Sequence, residues 1–175
     1  MKILKDPLTK NDIKNLKAGQ EIAYSGILYT ARDQAHQRIV NMLKHKKKLP
    51  FSLKNKLIYY CGPNPAQKGR VIGACGPTTS SRMDVFTPKL YENGILGTLG
   101  KGERSKEVIK AIKKYKGIYF VTYAGCGALL SEYVVNKRLV CFADLGTEAV
   151  FALEVKNFPL IVGIDTRGVN IYEYR

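Results

Sequence analysis

The segment GACGPTTSSRMD, residues 73–84, joins two kinds of sequence pattern and therefore indicates the fold class. Hydrophobic, β-rich residues precede it, and a helix-like spacing of apolar residues follows it. Such a segment is expected at the carboxyl end of a strand, where open α/β sheets bind ligands. Its hydroxyl groups, followed by Arg82 and Asp84, predict either a ligand site or the polar start of a helix.

Strand and helix patterns alternate on both sides of this segment. Runs of strand type are EIAYSGILY (21–29), LIYYCG (57–62), ILGTLG (95–100), IYFVTYAG (118–125) and RLVCFADLG (138–146). Helical patterns are ARDQAHQRIVNMLKHKKK (31–48, stopped by Pro50), RMDVFTPKLYENG (82–94, ended by Gly94), KGERSKEVIKAIKKYKG (101–117, after a short loop) and CGALLSEYVV (126–135). The alternation predicts a mixed α/β domain with a βαβ-like middle.

The last part of the chain, residues 149–174, has β-type patterns with two interruptions. Asn157–Phe158–Pro159 and residues 165–168 are rich in turn formers, and strand patterns broken in this way are typical of antiparallel pairing. No repeat, low-complexity segment or linker divides the chain. We therefore predict one domain that is β-rich at both ends.

The composition is that of a globular protein. The chain has 175 residues, of which 45% are hydrophobic and 25% charged, enough for one domain with a sizeable core. No apolar run approaches the roughly 18 residues that a membrane span needs. The first residues, MKILKDPLTKNDIK, are too polar for a signal-peptide core. We therefore expect a cytoplasmic protein without a membrane partner.

The cysteines do not form a metal-binding pattern. Cys61, Cys75, Cys126 and Cys141 are far apart in sequence, and the chain has only two histidines. Zinc and iron–sulfur motifs bring at least two ligands close together in the sequence. We expect no metal site built from this chain alone, and free thiols in a reducing compartment.

The formal net charge of +15 requires nucleic acid to be considered as a partner. Most of the cations are lysines distributed along the whole chain, and the densest run, KHKKK at 44–48, suits the carboxyl end of a helix. No RNA-binding motif is recognisable. The favoured interpretation is a lysine-rich surface that partly faces an acidic partner, with a basic nucleic-acid-binding module as the less favoured alternative.

Three glycine-containing turns could each receive an anion at a helix amino end: residues 76–79, 100–102 and 125–127. With Arg32, Arg82 and Lys101, which we call the cationic clamp, the chain could bind a carboxylate. None of the turns has P-loop or dinucleotide-binding spacing.

Each candidate residue also has a structural alternative. Ser81 and Asp84 fit a helix-capping signature, and Arg32 with Asp33 could be a solvated pair at a helix start. Lys101 could be an ordinary loop lysine, and His36 shares a helix face with apolar residues, as a core histidine would. From the residues alone, the prediction is an anion-binding α/β domain.

Five segments in order resemble a known family, the β subunits of the class I iron–sulfur fumarases and the related L-tartrate dehydratases. They are ARDQAH (31–36), LPFSLKNKLIYYCGP (49–63), GPTTSSRMD (76–84), GKGERS (100–105) and GTEAVFALEVKNFPLIVGIDTRG (146–168). The GPTT preceding RMD is the most specific of them. In single-chain members of this family the corresponding region is the carboxyl-terminal domain.

The resemblance implies a swivelling β/β/α domain with a mixed sheet over residues 1–175. It implies that a [4Fe–4S] cluster belongs to a separate α subunit, that the assembly is a dimer of αβ pairs, and that this chain is active only with its partner. The implied reaction is reversible hydration of fumarate to L-malate, or else dehydration of L-tartrate or another hydroxy-diacid.

The resemblance also implies roles for individual residues. Thr78 looks like the base that handles the substrate C3 proton, and Thr79 like a hydrogen-bond donor to a substrate carboxylate. The cationic clamp would bind carboxylates and stabilise the dianion that develops when the C–H bond breaks. His36 is a further candidate site residue. Cys126 between two glycines, and Thr147 in GTEAV, depart from the family pattern without touching the clamp.

Overall fold

The chain folds around a mixed sheet that closes on itself, with helices covering the outside of its parallel part. The computed structural model describes residues 1–173; Tyr174 and Arg175, at the end of the predicted tail and domain, lie outside the described residues. The strands are β1 (Lys2–Lys5), β2 (Glu21–Thr30), β3 (Leu57–Tyr59), β4 (Gly97–Gly100), β5 (Ile118–Val121), β6 (Val134–Cys141) and β7 (Val150–Ile164). The helices are α1 (Lys10–Ile13), α2 (Asp33–Lys44), α3 (Thr87–Glu92), α4 (Lys106–Tyr115) and α5 (Gly127–Ser131), with 3-10 turns at Ser80–Met83, Ala143–Glu148 and Ile171–Glu173.

Four neighbouring strands in the closed part of the sheet are parallel, in the order β2-β3-β4-β5, and β1 also runs parallel to β2. The long strand β7 is antiparallel to both β5 and β2, so it joins the two ends of this parallel part and closes the sheet. β1 pairs with the first half of β2, and β6 pairs with the first half of β7. This architecture confirms the predicted α/β fold class, the mixed sheet and the antiparallel pairing of the tail.

The central strands are buried on both faces because alternate side chains enter two separate cores. In β3, Leu57 and Tyr59 pack with residues of the closed sheet such as Phe120 and Phe158. Ile58, between them, packs on the helical side with residues of α2, α3 and α4. Short runs with apolar residues at every position are what such strands require, which is why these segments were recognisable in the sequence.

Helix α4 illustrates how the sequence defines an element of the outer layer. The Ser105 hydroxyl accepts a hydrogen bond from the Val108 amide at the amino end, at 3.3 Å. Val108, Ala111 and Ile112 form its buried face, at the i, i+3 and i+4 spacing of an amphipathic helix. The helix ends at Lys116, which adopts a left-handed conformation before Gly117.

The segment around GPTT differs from its prediction. No strand precedes it directly, since residues 60–78 are a loop that begins where β3 ends. The predicted helix over 82–94 is also wrong as a single element, because the chain forms the turn Ser80–Met83 and then, separately, α3. Gly94 follows α3 with a φ of +94°, which agrees with its predicted role in ending the helix.

Other predicted boundaries also need correction. Helix α2 ends at Lys44 rather than near Pro50, so most of KHKKK lies beyond it. The predicted helix over 126–135 is confined to α5, and its last two residues, Val134 and Val135, already belong to β6.

The predicted break at Asn157–Phe158–Pro159 is wrong, because β7 continues through it. Asn157 has a φ of +54° and lies in a bulge opposite Ser25, whose hydroxyl accepts the Asn157 amide at 2.9 Å. The Pro159 carbonyl accepts the Thr122 hydroxyl at 2.8 Å. On this edge of β7, β6 pairs with residues up to Val155 and β5 pairs with residues from Ile161 onward. A proline there loses no ladder hydrogen bond because neither strand pairs with it.

Among residues 1–173, no helix combines the length and the apolar character that crossing a membrane requires.

Candidate carboxylate-binding site

Three strand ends bring the candidate residues to one edge of the sheet. Arg32 follows β2 by two residues, Tyr60 follows β3 directly, and Lys101 follows β4 directly. Because β2, β3 and β4 are parallel and adjacent, their carboxyl ends meet at the same edge, which is where α/β sheets bind ligands. The loop that carries Thr78 and Thr79 crosses this edge.

Main-chain contacts hold the threonine loop against the ends of two strands. The Thr78 amide donates to the Tyr60 carbonyl at 2.7 Å, and Thr79 forms an isolated bridge with Lys101. The Ser80 amide donates to the Lys101 carbonyl, and the Lys101 amide to the Ser80 hydroxyl, each at 3.0 Å. Thr78, Thr79 and Lys101 are therefore brought together by the backbone, independently of any ligand.

This close approach depends on Gly100. A Cβ atom at this position would overlap the Ser80 Oγ atom and lie 2.9 Å from the Tyr60 ring. Gly100 is required here for space, so that the threonine loop can lie directly on β4.

The threonine hydroxyls are available to a ligand. Thr78 is half-buried and Thr79 is exposed, and neither hydroxyl makes a hydrogen bond within residues 1–173. Both residues stand between the main-chain anchors described above, so their positions are fixed while their hydroxyls remain free.

The two arginines of the clamp lie on either side of one carboxylate. Asp33 Oδ2 is 2.9 Å from Arg82 Nη2 and 3.8 Å from Arg32 Nη2. Asp33 therefore keeps the two guanidinium groups close together. Arg32 and Asp33 are therefore not a solvated pair, which was the structural alternative. The Arg32 side chain is only 25% exposed, and Asp33 contacts two cations.

Arg32 has a buried polar atom without a partner. Its side chain lies over Gly62, where an added Cβ would be 3.0 Å from the arginine Cδ, and its Nε has no hydrogen bond to any described residue. A buried donor without a hydrogen bond raises the free energy of the folded protein, so a ligand oxygen that accepts from Arg32 Nε would stabilise it. Asp33 Oδ2 is likewise buried without a hydrogen bond in the part of the chain that the structure describes, since its contact with Arg82 lacks hydrogen-bond geometry.

Glu148 supports Arg32 from the turn before β7. Its Oε1 is 3.6 Å from Arg32 Nη2, and its Oε2 accepts the Gln34 amide at 3.0 Å, near the amino end of α2. The site edge thus carries the three cations of the clamp and two carboxylates, Asp33 and Glu148. The balance remains positive, which suits an anionic ligand.

His36 lies behind Arg32, in the core. It is fully buried between Tyr60 and Phe86, and its Nδ1 must donate to the Arg32 carbonyl, 2.8 Å away, because a carbonyl only accepts. Burial lowers the pKa of His36 to about 4, so its ring is neutral at pH 7. Its Nε2 has no partner within the described residues.

The structural alternative of a helix cap from Ser81 and Asp84 is wrong, because Asp84 bonds elsewhere. The Asp84 carboxylate accepts hydrogen bonds from Arg104 Nε at 2.7 Å and from the Ser105 amide at 2.6 Å, at the start of α4.

Sequence reasoning missed Arg104, a buried arginine beneath the site, although it belongs to the quoted GKGERS motif. It also missed Glu148, whose position depends on pairing between distant strands.

The described residues do not fit an iron–sulfur cluster. Nowhere in residues 1–173 do three His, Cys, Asp or Glu side chains stand together as metal ligands would. Burial raises the pKa of the Cys61 thiol well above its usual value and that of Cys75 to about 12, so neither is inclined to ionise as a ligand must.

Fold and site together define a domain that presents cations and hydroxyls to an anion at the edge of a closed mixed sheet. The family model described as Fumarase C-terminus matches residues 2–175. The chain therefore belongs to the fumarase C-terminus family, and the resemblance predicted from the motifs is confirmed.

Relatives of two lengths share this domain. The chain is 44% identical over 172 residues to a Methanocaldococcus jannaschii protein whose name assigns it provisionally as L(+)-tartrate dehydratase subunit beta, covering 95% of this chain and 88% of that one. It is 33% identical to L(+)-tartrate dehydratase subunit beta of Escherichia coli K12, covering 97% and 86%. It is 39% identical over 154 residues to Fumarate hydratase 1, mitochondrial, of Leishmania major, but spans only 28% of that protein.

Proposed function

We propose that this chain is the β subunit of a two-subunit hydro-lyase that reversibly hydrates fumarate to L-malate in the cytoplasm, and that residues 1–175 form its single domain. The observation that carries the proposal is the pair of free hydroxyls, Thr78 and Thr79, fixed beside Lys101 and the two arginines at one sheet edge. A dicarboxylate needs cations for its carboxylates and a group near its reacting C–H bond.

In this proposal the cationic clamp lowers the activation barrier more than any other group of the chain. In hydration, water supplies a hydroxyl to one alkene carbon and a proton to the other; in the reverse direction that C–H proton must leave. The proton is weakly acidic, and the dianion formed on its removal is stabilised by cations placed at the carboxylate. Arg32, Arg82 and Lys101 therefore bind the substrate and lower this barrier, and Thr79 donates to a carboxylate oxygen.

Thr78 handles the proton in this proposal. A threonine hydroxyl is a poor base unless nearby cations stabilise its alkoxide or another group relays its proton. The adjacent clamp provides such cations. His36 supports the site from behind through the Arg32 carbonyl and has no contact with the substrate.

The site of this chain is open to solvent, with Arg82 52% exposed, and hydro-lyase chemistry needs it to be covered. We propose an α subunit as the missing wall and as the holder of the [4Fe–4S] cluster, in a dimer of αβ pairs. Both β-subunit relatives reported above carry "subunit beta" in their names, which supports a partner of this kind.

A second candidate reaction is the dehydration of L-tartrate or another hydroxy-diacid. The specific observation in its favour is that the two relatives of matching length are named as tartrate dehydratase subunits. The clamp itself would bind either diacid, so the contacts that discriminate them would lie partly on the partner.

The experiment that tests the proposal is oxygen-free capture from source lysate with this chain as bait. Iron and fumarate hydration should arrive together with one larger protein, and the chain alone should have neither. Faster turnover of L-tartrate than of fumarate by the captured complex would select the second reaction. Capture of nucleic acid, with affinity that falls steeply with salt and is lost in Arg82→Ala, would overturn the hydro-lyase proposal.

A further inference from the structure

A buried arginine lies beneath the clamp and is not part of it. The Arg104 side chain is 0% exposed, and its guanidinium group donates to four oxygens. These are Asp84 Oδ1 at 2.7 Å, Thr98 Oγ1 at 3.0 Å, Thr87 Oγ1 at 2.9 Å and the Tyr60 hydroxyl at 3.1 Å. The group also lies over the rings of Tyr60 and Tyr119, at 5.2 and 4.8 Å from their centroids.

Three of the four partners of Arg104 belong to segments that carry or support a site residue, and the fourth, Thr87, begins α3. Asp84 ends the turn that contains Arg82, and Thr98 lies in β4, three residues before Lys101. The main chain of Tyr60 accepts the Thr78 amide at 2.7 Å. One guanidinium group therefore contacts the supports of Arg82, Lys101 and Thr78 at the same time.

A second set of contacts ties the same segments together. The Tyr119 hydroxyl is 2.9 Å from Ser80 Oγ, which accepts the Lys101 amide, and 2.8 Å from the carbonyl of Gly102, the residue after Lys101. The Asp84 carboxylate also receives the Ser105 amide, which fixes the start of α4. Arg104 thus lies at the centre of a network that spans the turn before α3 and the loop before α4.

The geometry requires an arginine. Four oxygens surround a planar group whose N–H bonds point in fixed directions, whereas a lysine ammonium has three donors on one atom. Burial opposes the charge on Arg104, but the nearby Tyr60 and Asp84 more than compensate, so its pKa is raised and it remains charged.

We propose that Arg104 and Asp84 are positioning residues that set the distance between Arg82 and Lys101, and thereby the length of diacid that the clamp accepts. This inference rests on the proposed function, because it assumes that the clamp binds a dicarboxylate. Arg104 does not touch the ligand; it acts through the turn and the strand that it joins.

The test uses the assembled enzyme with its partner subunit, comparing wild type with Arg104→Lys and Asp84→Asn. Inhibition by malonate, succinate and glutarate, diacids of increasing length, is measured against fumarate hydration, with iron content and melting temperature as checks on assembly. We expect the KM for fumarate to rise about tenfold and the ratio of glutarate to succinate inhibition constants to change about fivefold. A purely structural role would lower the folded fraction and leave that ratio unchanged.

Two further variants make the result decisive. Arg38→Lys is the matched control, because Arg38 also binds a carboxylate through two hydrogen bonds, at 2.9 and 2.8 Å, but on Asp144 and away from the clamp. Tyr60→Phe keeps the ring and removes one hydroxyl, and it serves if Arg104→Lys does not assemble; we expect a smaller change in the same direction. Unchanged ratios in every variant that assembles overturn the inference alone, whereas a wild-type complex that does not hydrate fumarate overturns the proposed function and the inference with it.

Discussion

The side chains of the site differ in how firmly the chain already holds them. Thr78 and Thr79 have free hydroxyls on a fixed loop, whereas Arg32 and Arg82 are engaged with Asp33 before any ligand arrives. In the proposed function, a substrate carboxylate would therefore compete with, or add to, an existing charge contact at the arginines. At the threonines it meets no such competition.

Replacing Thr78 by alanine should remove most turnover without preventing assembly. The change deletes one small hydroxyl that makes no internal hydrogen bond within the described residues, so the loop keeps its main-chain anchor at Tyr60. We expect kcat of the assembled enzyme to fall about 100-fold or more, the range for loss of a proton-transfer group. Thr78→Ser is the control, because it keeps a hydroxyl and should retain most activity. Equal rates for wild type and Thr78→Ala would show that Thr78 is not a site residue.

Arg32→Ala and Lys101→Ala should weaken both substrate binding and rate. Each removes a charge-assisted contact worth about 1.5–3 kcal/mol, so kcat/KM for fumarate should fall roughly 10- to 100-fold. Arg38→Ala is the matched control for Arg32→Ala: it removes an ion-paired arginine from the same helix region and should change kcat/KM less than about twofold. If the clamp and control variants lose activity equally, the loss is one of folding rather than of binding.

The buried ring of His36 should make stability depend on pH. Its pKa is about 4 in the folded chain and 6.5 when exposed, so below pH 6.5 the unfolded chain binds a proton that the folded chain does not. The free energy of unfolding should therefore fall between pH 6.5 and about 4, by roughly 3 kcal/mol in total, with no contribution above pH 6.5. Denaturant unfolding at pH 7 and pH 5 measures it, and His36→Asn should lose this component. Parallel pH profiles for wild type and variant would contradict the assignment.

At the scale of secondary elements, the turn Ser80–Met83 packs directly on strand β4 at Gly100. Gly100→Ala should displace the turn, because the new methyl group would overlap Ser80 Oγ. We expect a loss of about 2 kcal/mol in unfolding free energy, typical of overpacking, together with a raised KM. Gly69→Ala, in an open loop with nothing within 4 Å, should leave the KM unchanged even though its φ of +80° makes alanine strained there. A normal KM in stable Gly100→Ala would show that the turn can shift without moving the clamp.

Elements whose conformation is determined by neighbouring residues in the sequence were predictable. The buried strands β3 and β5 and the amphipathic helix α4 follow from apolar spacing, and the clamp residues follow from motifs at strand ends. Elements set by distant partners were not. Pro159 indicates a turn locally, but it is accommodated in β7 because β6 and β5 leave that point of its edge unpaired. Asp84 likewise suits a cap for its own turn, whereas its partners are Arg104 and Ser105, twenty residues further along.

On the scale of the complete chain, the net charge of +15 should govern how fast it meets its partner. Electrostatic steering toward the proposed α subunit would be screened by salt, because the Debye length falls from about 10 Å at 0.1 M to about 3 Å at 1 M. We expect the association rate of the two subunits to fall about tenfold between roughly 50 and 500 mM NaCl. An uncharged solute at equal osmolality should have little effect. A rate independent of salt would mean that the basic surface faces solvent rather than the partner.

The closure of the sheet by β7 has a consequence for folding during translation, because the chain is made from its amino end. The candidate site residues are translated first: Arg32, Thr78, Arg82 and Lys101. Strand β7, and Glu148, which contacts Arg32, are translated near the end of the chain. Until β7 emerges, β2 and β5 each lack the neighbour that completes their hydrogen bonding, and the apolar interior stays open to water. Pairing β2 with β7 joins residues about 130 positions apart, a slow, late event in the folding of a nascent chain. The edge that carries the candidate site is thus translated early but becomes rigid only at the last step, and we expect a chain interrupted before β7 to aggregate.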